Sequence, residues 1–287
     1  MTDMILHRLK SMAVGALAFA LLFCVSVQVF AKETIIWTQN DFIPFYIKDG
    51  PHKGQGISDK LTMFFSKHLP DYTHKQEHMN FPRFFALAKR GELVCNPLLL
   101  KTAEREEILS YSQAFKPAYA HIMVSSHPID YPKEGISLEE FLKNDPHPMI
   151  VQTKRSYGPV LDRVIKEGVQ QGRIRTESYP TKQLFVMLEK NRIHHFVDIE
   201  NSVTFYNTEH HGEKKLYRIP LKEDRLDRFG YAVCSKTPAG KKLIARINEI
   251  LKREGDSQEF RDILESWMAT ENLMRFREFY YREVLQK

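Results

Sequence analysis

The chain has 287 residues, a formal net charge of +6 from 42 Lys and Arg against 36 Asp and Glu, and three cysteines. Acids are interleaved with the basic residues and no block of like charge accumulates, so the composition gives no sign of a nucleic-acid-binding surface. Three cysteines in a chain this long also exclude a small disulfide-stapled scaffold.

In chain order, Arg8 and Lys10 precede an uncharged stretch from Met12 to Val27, and Val29-Phe30-Ala31 places small residues at −3 and −1 of a cleavage site. Residues 1–31 therefore read as a signal peptide, cleaved after Ala31. An uncleaved anchor is the competing reading, because the uncharged stretch approaches the roughly 20 residues that span a bilayer. A lipidated Cys24 is disfavoured, since bulky Phe23 stands where a small residue is needed. About 256 residues remain, long for one compact core and comfortable for two lobes.

Glu33 to Thr38 reads as a first strand, followed by an aromatic and proline-rich loop, Phe42-Ile43-Pro44-Phe45-Tyr46. That loop is either a stacking wall for a ligand or plain core. A turn through Gly54 and Gly56 leads to a helix from Ser58 with Leu61, Phe64, Phe65 and Leu69 on one face. The glycine pair lacks the Gly-Lys-Ser/Thr of a phosphate loop. His74 to Met79 is a second strand, Phe81 to Arg90 a helix stopped by Gly91, and Leu93-Val94-Cys95 a third strand. This alternation predicts a parallel sheet covered by helices.

The segment Asn96 to Phe115 organises the rest. Pro97 to Leu100 is an apolar run too short for a helix; it ends at Lys101-Thr102, and Thr102 opens a short helical stretch from Ala103 to Leu109 that contains Arg105. A strand end meeting a helix start is where open α/β sheets gather ligand contacts. Arginine grips a carboxylate there with a bidentate fork that lysine lacks. The alternative is an arginine on a solvated helix, partnered by Glu104, Glu106 or Glu107.

Ala118 to Ser125 is again strand-like, and after a polar, proline-rich stretch holding a helix at Leu138 to Asn144 the alternation restarts. Strands at Met149 to Gln152, Arg173 to Glu177 and His195 to Ile199 enclose helices at Pro159 to Glu167 and Thr181 to Lys190. A restart of this kind predicts a second lobe of like topology. Leu216 to Pro220 and Phe229 to Val233 carry the chain back, and three amphipathic helices close it, the last of them, Thr270 to Leu285, rich in Phe and Tyr. Cys95 and Cys234 each sit in strand-like sequence, so a cross-strand bridge and two buried free thiols are both open readings. His194-His195 and His210-His211 do not make a metal site, since adjacent histidines point to opposite sides of a strand and no cysteine cluster accompanies them. No cofactor or nucleophile motif is present.

With these pieces in order, Phe42 to Phe45, Gly56 to Asp59, Lys101 to Arg105 followed by Tyr111-Ser112, Leu188 to Arg192 leading to Asp198, Gly230 to Val233 and a last helix ending in Trp267, the chain resembles the type II periplasmic solute-binding proteins that include the amino-acid-binding components of ABC transporters. The resemblance implies α/β architecture in two lobes joined by two crossing strands: residues 32–121 plus 229–287 in lobe one, 122–228 in lobe two. It implies a monomer that encloses a small-molecule ligand by hinge closure and is read by a membrane permease or a sensor. It further implies that Arg105 holds a ligand carboxylate, Asp198 takes a ligand amine unless it caps or pairs with Arg192, Phe42 and Phe45 stack on the ligand, and Ser156 and Tyr157 donate a second set of hydrogen bonds to the carboxylate. Two departures stand out. Leu100 occupies the place of a Ser or Thr five residues before the arginine, and Arg155 adds a positive charge before Tyr157. Both point to a ligand more apolar at one end, or more anionic, than a standard amino acid. Some periplasmic dehydratases resemble binding proteins, but Asp198 and Glu200 are the only acids at the relevant strand end and nothing pairs them with a nucleophile.

Overall fold

The computed structural model describes residues 32–209, 216–224, 228–268 and 270–286; the expected leader and the His210-His211 pair lie outside the described residues. β1 (Thr34–Gln39) turns Ile35 and Trp37 to one face, where both are fully buried. α1 (Ile57–Lys67) packs Leu61, Phe64 and Phe65 over that face, with the Phe65 ring stacked on Trp37 at 6.2 Å. β2 (Thr73–His78) and β3 (Val94–Leu100) flank β1 in parallel, connected through α2 (Phe81–Lys89), whose N-terminus is capped by Asn80. The strand-helix alternation of the sequence is therefore the parallel sheet it predicts.

Beyond β3 the predicted helix from Ala103 to Leu109 is cut to one turn, α3 (Ala103–Glu106). Leu109 is 2% exposed and is drawn into the sheet as the start of β4 (Leu109–Tyr111), so burial of an apolar side chain overrides the continuation of a short helix. β5 (Lys116–Pro117) follows, and the chain crosses to a second sheet.

Lobe two contains β6 (His121–Ser125), α4 (Leu138–Asn144), β7 (Met149–Gln152), α5 (Pro159–Gln170), β8 (Ile174–Glu177), α6 (Thr181–Glu189), β9 (His195–Ile199), α7 (Glu200–Glu209) and β10 (Tyr217–Pro220). Its strand order is β10-β6-β9-β7-β8, with β7 parallel to β8 and β9, and β6 antiparallel to both β9 and β10. One side packs against α4 and α5 through Met123, Val151 and Val197; the other packs against α6 and α7 through Val124, Ile150 and Phe196. The predicted elements contain no counterpart of α7. Its sequence is polar, and it is held by Val203, Phe205 and Tyr206, which are buried.

β11 (Phe229–Ser235) returns the chain to lobe one, antiparallel between β3 and β4. It also pairs with β5, matching Phe229 to Pro117 and Gly230 to Lys116, so the two crossing segments are hydrogen-bonded to each other. α8 (Pro238–Glu254), α9 (Gln258–Glu265) and α10 (Thr270–Tyr280), with a π turn to Leu285, close lobe one. Tyr280 of the aromatic last helix is buried and donates to the Gly255 carbonyl at 2.6 Å, so part of that helix is core.

Cys95 and Cys234 face each other in the β3–β11 register and are joined by a disulfide across 139 positions of sequence. It ties the strand leading to Arg105 to the returning strand. Closing a loop of this size is worth about 3–5 kcal/mol in the chain-entropy view. The double substitution Cys95→Ser, Cys234→Ser is expected to lower the denaturation free energy by that order, measured from guanidinium midpoints on non-reduced protein; equal midpoints would assign the bridge no structural weight.

Candidate ligand-binding cleft

Between the two sheets lies a cleft with about 700 Å³ of empty space, counted to its open side. Its floor comes from the C-terminal ends of β1 and β3, its back from the crossing segment 116–121, and its far wall from the loop after β7 and the end of β9. Parallel strands end with their carbonyls and following loops on one edge, which is why the side chains converge there.

The near wall is aromatic. Phe42 and Phe45 both line the cleft and stack on each other at 4.7 Å. Their loop is fixed to the start of α1: Ser58 N donates to Phe45 O at 2.9 Å, and the Asp59 carboxylate accepts from Ile47 N and Gly56 N. A Cβ at position 56 would collide with the Phe45 carbonyl, so this approach requires glycine.

Arg105 lines the same cleft and is 6% exposed. Its Nη1 donates to Leu100 O at 2.8 Å and its Nη2 crosses to lobe two, donating to Lys154 O at 2.9 Å. Phe81 and Phe85 stand 5.8 and 5.3 Å from the guanidinium. The neighbouring acids are engaged elsewhere, Glu104 with Lys154 and Glu106 with Lys101. Burial pulls the Arg105 pKa below its ordinary value, the mark of a cation that has lost water without gaining a carboxylate. Thr102 sits outside the cleft and acts locally, its Oγ1 accepting from Arg105 N at 3.3 Å.

Asp198 is placed differently from the amine contact that the resemblance implies. It is fully buried and does not line the cleft. Its Oδ1 accepts from Arg155 Nη2 at 2.9 Å, from its neighbour Ile199 N at 2.6 Å and from Ser202 Oγ at 3.1 Å. Its partner is thus Arg155, not Arg192. Arg155 is itself held by Gln152 Oε1 at 2.9 Å and lies 4.1 Å from the Phe42 ring centroid and 4.8 Å from that of Tyr157. Burial works against its charge, but Asp198 and Tyr157 together offset this and raise the guanidinium pKa.

The lobe-two donors are also occupied. Ser156 lines the cleft, but its hydroxyl donates to Asp162 Oδ2 at 2.6 Å, and Tyr157 N donates to Asp162 Oδ1 at the same distance. Asp162, in the first turn of α5, fills the place expected for a ligand carboxylate at this helix start. The Tyr157 side chain is buried away from the cleft; its hydroxyl accepts from Gln152 N, and burial pushes its pKa up to about 12.

Two further groups, absent from the sequence-based set, line the back. Lys116 is 1% exposed; its Nζ donates to Pro117 O at 2.8 Å and lies 3.3 Å from the Tyr119 ring centroid. No carboxylate pairs with it among the described residues, and burial drives its pKa well below the ordinary value. His121 accepts at Nδ1 from Arg228 Nη1 at 2.8 Å, while Arg228 also pairs with Asp224. Burial, then Arg228 and Arg155, keep this imidazole neutral. The only sequence sign of Lys116 was one charge inside the apolar and aromatic run Phe115 to Tyr119.

No protein-family model matches the chain, and no curated protein does. Solved structures do. An ancestral arginine-binding protein bound to arginine superposes with a TM-score of 0.66 at 18% identity, covering 83% of this chain and 99% of that one. The substrate-binding protein of an amino-acid ABC transporter gives 0.61 at 17%, covering 82% and 98%. A histidine kinase sensor domain with similarity to periplasmic binding proteins gives 0.64 at 13%, covering 83% and 96%. At these identities the likeness is one of fold: two α/β lobes with a double-strand hinge, the type II periplasmic-binding-protein architecture.

Lys116 yields a signed pH dependence. Between its depressed folded pKa and the unfolded value near 10.5 the unfolded chain holds the extra proton, so stability rises with pH across that window. Lys116→Met is expected to raise the denaturation midpoint at pH 7 and to flatten the rise toward pH ~10 relative to wild type. Parallel curves for the two proteins would place the ammonium in solvent.

Proposed function

We propose that this chain is an exported solute-binding protein that closes its two lobes over a small carboxylate-bearing solute, an amino acid or a derivative, and presents it in the periplasm to an ABC-type membrane permease. The observation that carries this reading is Arg105: a buried guanidinium with only carbonyl oxygens as hydrogen-bond partners, facing an aromatic-walled cleft between two lobes. A ligand carboxylate supplies the missing counter-charge through the guanidinium's remaining donors. Phe42 and Phe45 form the apolar platform. The sequence of residues 1–31 supports export, and one chain supplies every wall of the cleft, so a monomer suffices.

Binding is preferred to catalysis because the acids considered for proton transfer are engaged and lie off the cleft. Asp198 is tied to Arg155 and Glu200 to Arg218. His121 spends Nδ1 on Arg228. The sensor domain of the same fold keeps a second reading in view, in which closure is read by a membrane receptor.

A thermal-shift screen of amino acids and small organic acids identifies binders, since a ligand taken only by the folded state raises the melting temperature. Against any such binder, Arg105→Ala is expected to cost about 2–5 kcal/mol by isothermal titration, with the circular dichroism spectrum retained. Unchanged affinity would remove Arg105 from the site.

A further inference from the structure

We infer, on the footing that the cleft binds a small carboxylate as proposed above, that its ligand is an organic acid without an ammonium group. An α-amino acid needs an acceptor for its ammonium beside the carboxylate clamp. The acid at the end of β9 that is available by position is Asp198, and Arg155 covers it. Of the two, Arg155 lines the cleft, so this corner presents a cation to the ligand. The cover is built in: the Arg155 side chain is 4% exposed, bonded to Gln152 and Asp198, and packed against the Phe42 and Tyr157 rings.

The side-chain amide oxygens and two of the carbonyls on the wall are engaged. Asn40 Oδ1 accepts from Thr38 Oγ1 at 3.1 Å and from Asn96 Nδ2 at 2.9 Å, and Asn96 Oδ1 accepts from Leu98 N at 2.9 Å. The carbonyls of Leu100 and Pro117 are taken by Arg105 and Lys116. The Tyr46 and Ser58 hydroxyls remain, and a hydroxyl donates to a carboxylate as readily as it accepts from an ammonium. Leu100 itself puts an apolar side chain on the wall. Among the described residues that line the cleft none is a carboxylate, while Arg105 is a buried cation without one. An ammonium here meets like charge; a carboxylate, or a second one on the same ligand, meets its opposite.

Titration calorimetry on the full mature chain with matched pairs, glutamate against glutarate, phenylalanine against 3-phenylpropanoate and leucine against 4-methylpentanoate, tests this directly. The acid lacking the amino group is expected to bind at least roughly tenfold more tightly in every pair that binds. Tighter binding of the amino acid overturns the inference and leaves the binding role intact. Binding of no amino acid or deaminated acid, in these pairs or in the wider thermal-shift screen, withdraws the binding role and this inference with it. Arg155→Gln uncovers Asp198 and is expected to move the ratio toward the amino acid by about tenfold; an unchanged ratio in a folded variant overturns the assignment to Arg155. Should that variant not fold, the wild-type ratios decide alone.

Discussion

A guanidinium taken out of water without a carboxylate is the constraint around which the cleft is organised. Desolvating such a cation costs several kcal/mol unless donors and charge are met. Arg105 meets the donor requirement with two carbonyls, one from each lobe, and leaves the charge requirement open. The same side chain is therefore a clasp across the cleft and an electrostatic vacancy within it. Its position follows from ordinary local rules: β3 ends at Leu100, Thr102 caps one helical turn, and that turn aims position 105 back over the strand end.

Movement of one lobe against the other has to pass through the crossing segments. Their backbone groups pair with each other through β5 and β11 and through Ala118 N to Arg228 O, which satisfies groups that would otherwise be stranded between two cores. Arg228 adds buried side-chain ties to His121 and Asp224 and donates to Tyr119 O at 3.4 Å. A hinge fixed this way ties the two segments to each other, and the Cys95–Cys234 bridge joins the start of β3 to the end of β11 within lobe one.

Much of this was legible in the sequence because it is local. Period-two and helical patterns gave the alternating elements, and the apolar run before Thr102 gave the strand end that positions Arg105. Arg155 was legible as an extra charge, but its attachment to Asp198 was not, because the two are brought together only by the pairing of β7 with β9. Asp162 was hidden for the opposite reason: an acid in the first turn of a helix reads as ordinary dipole compensation, and only the bonds to Ser156 and Tyr157 reveal that it fills the place expected for a ligand. α7 was missed because its burial comes from neighbours on α6 and lobe one and leaves little periodicity in Glu200–Glu209.

These placements make the two lobes unequal partners. In lobe two the helix-start donors serve Asp162 and the strand-end acid is tied through Oδ1 to Arg155, so these groups are engaged with each other before any ligand arrives. Lobe one keeps Arg105 and contributes the aromatic platform, and Lys116 stands where the chain leaves it. On the proposed reading, a charged solute would therefore gain most of its electrostatic stabilisation on lobe one. Closure would then add wall and exclusion of water, strengthening a contact with Arg105 by lowering the local dielectric. The bond from Arg105 to Lys154 O would join these two steps, because the guanidinium proposed to hold the solute is also the one that reaches across to lobe two.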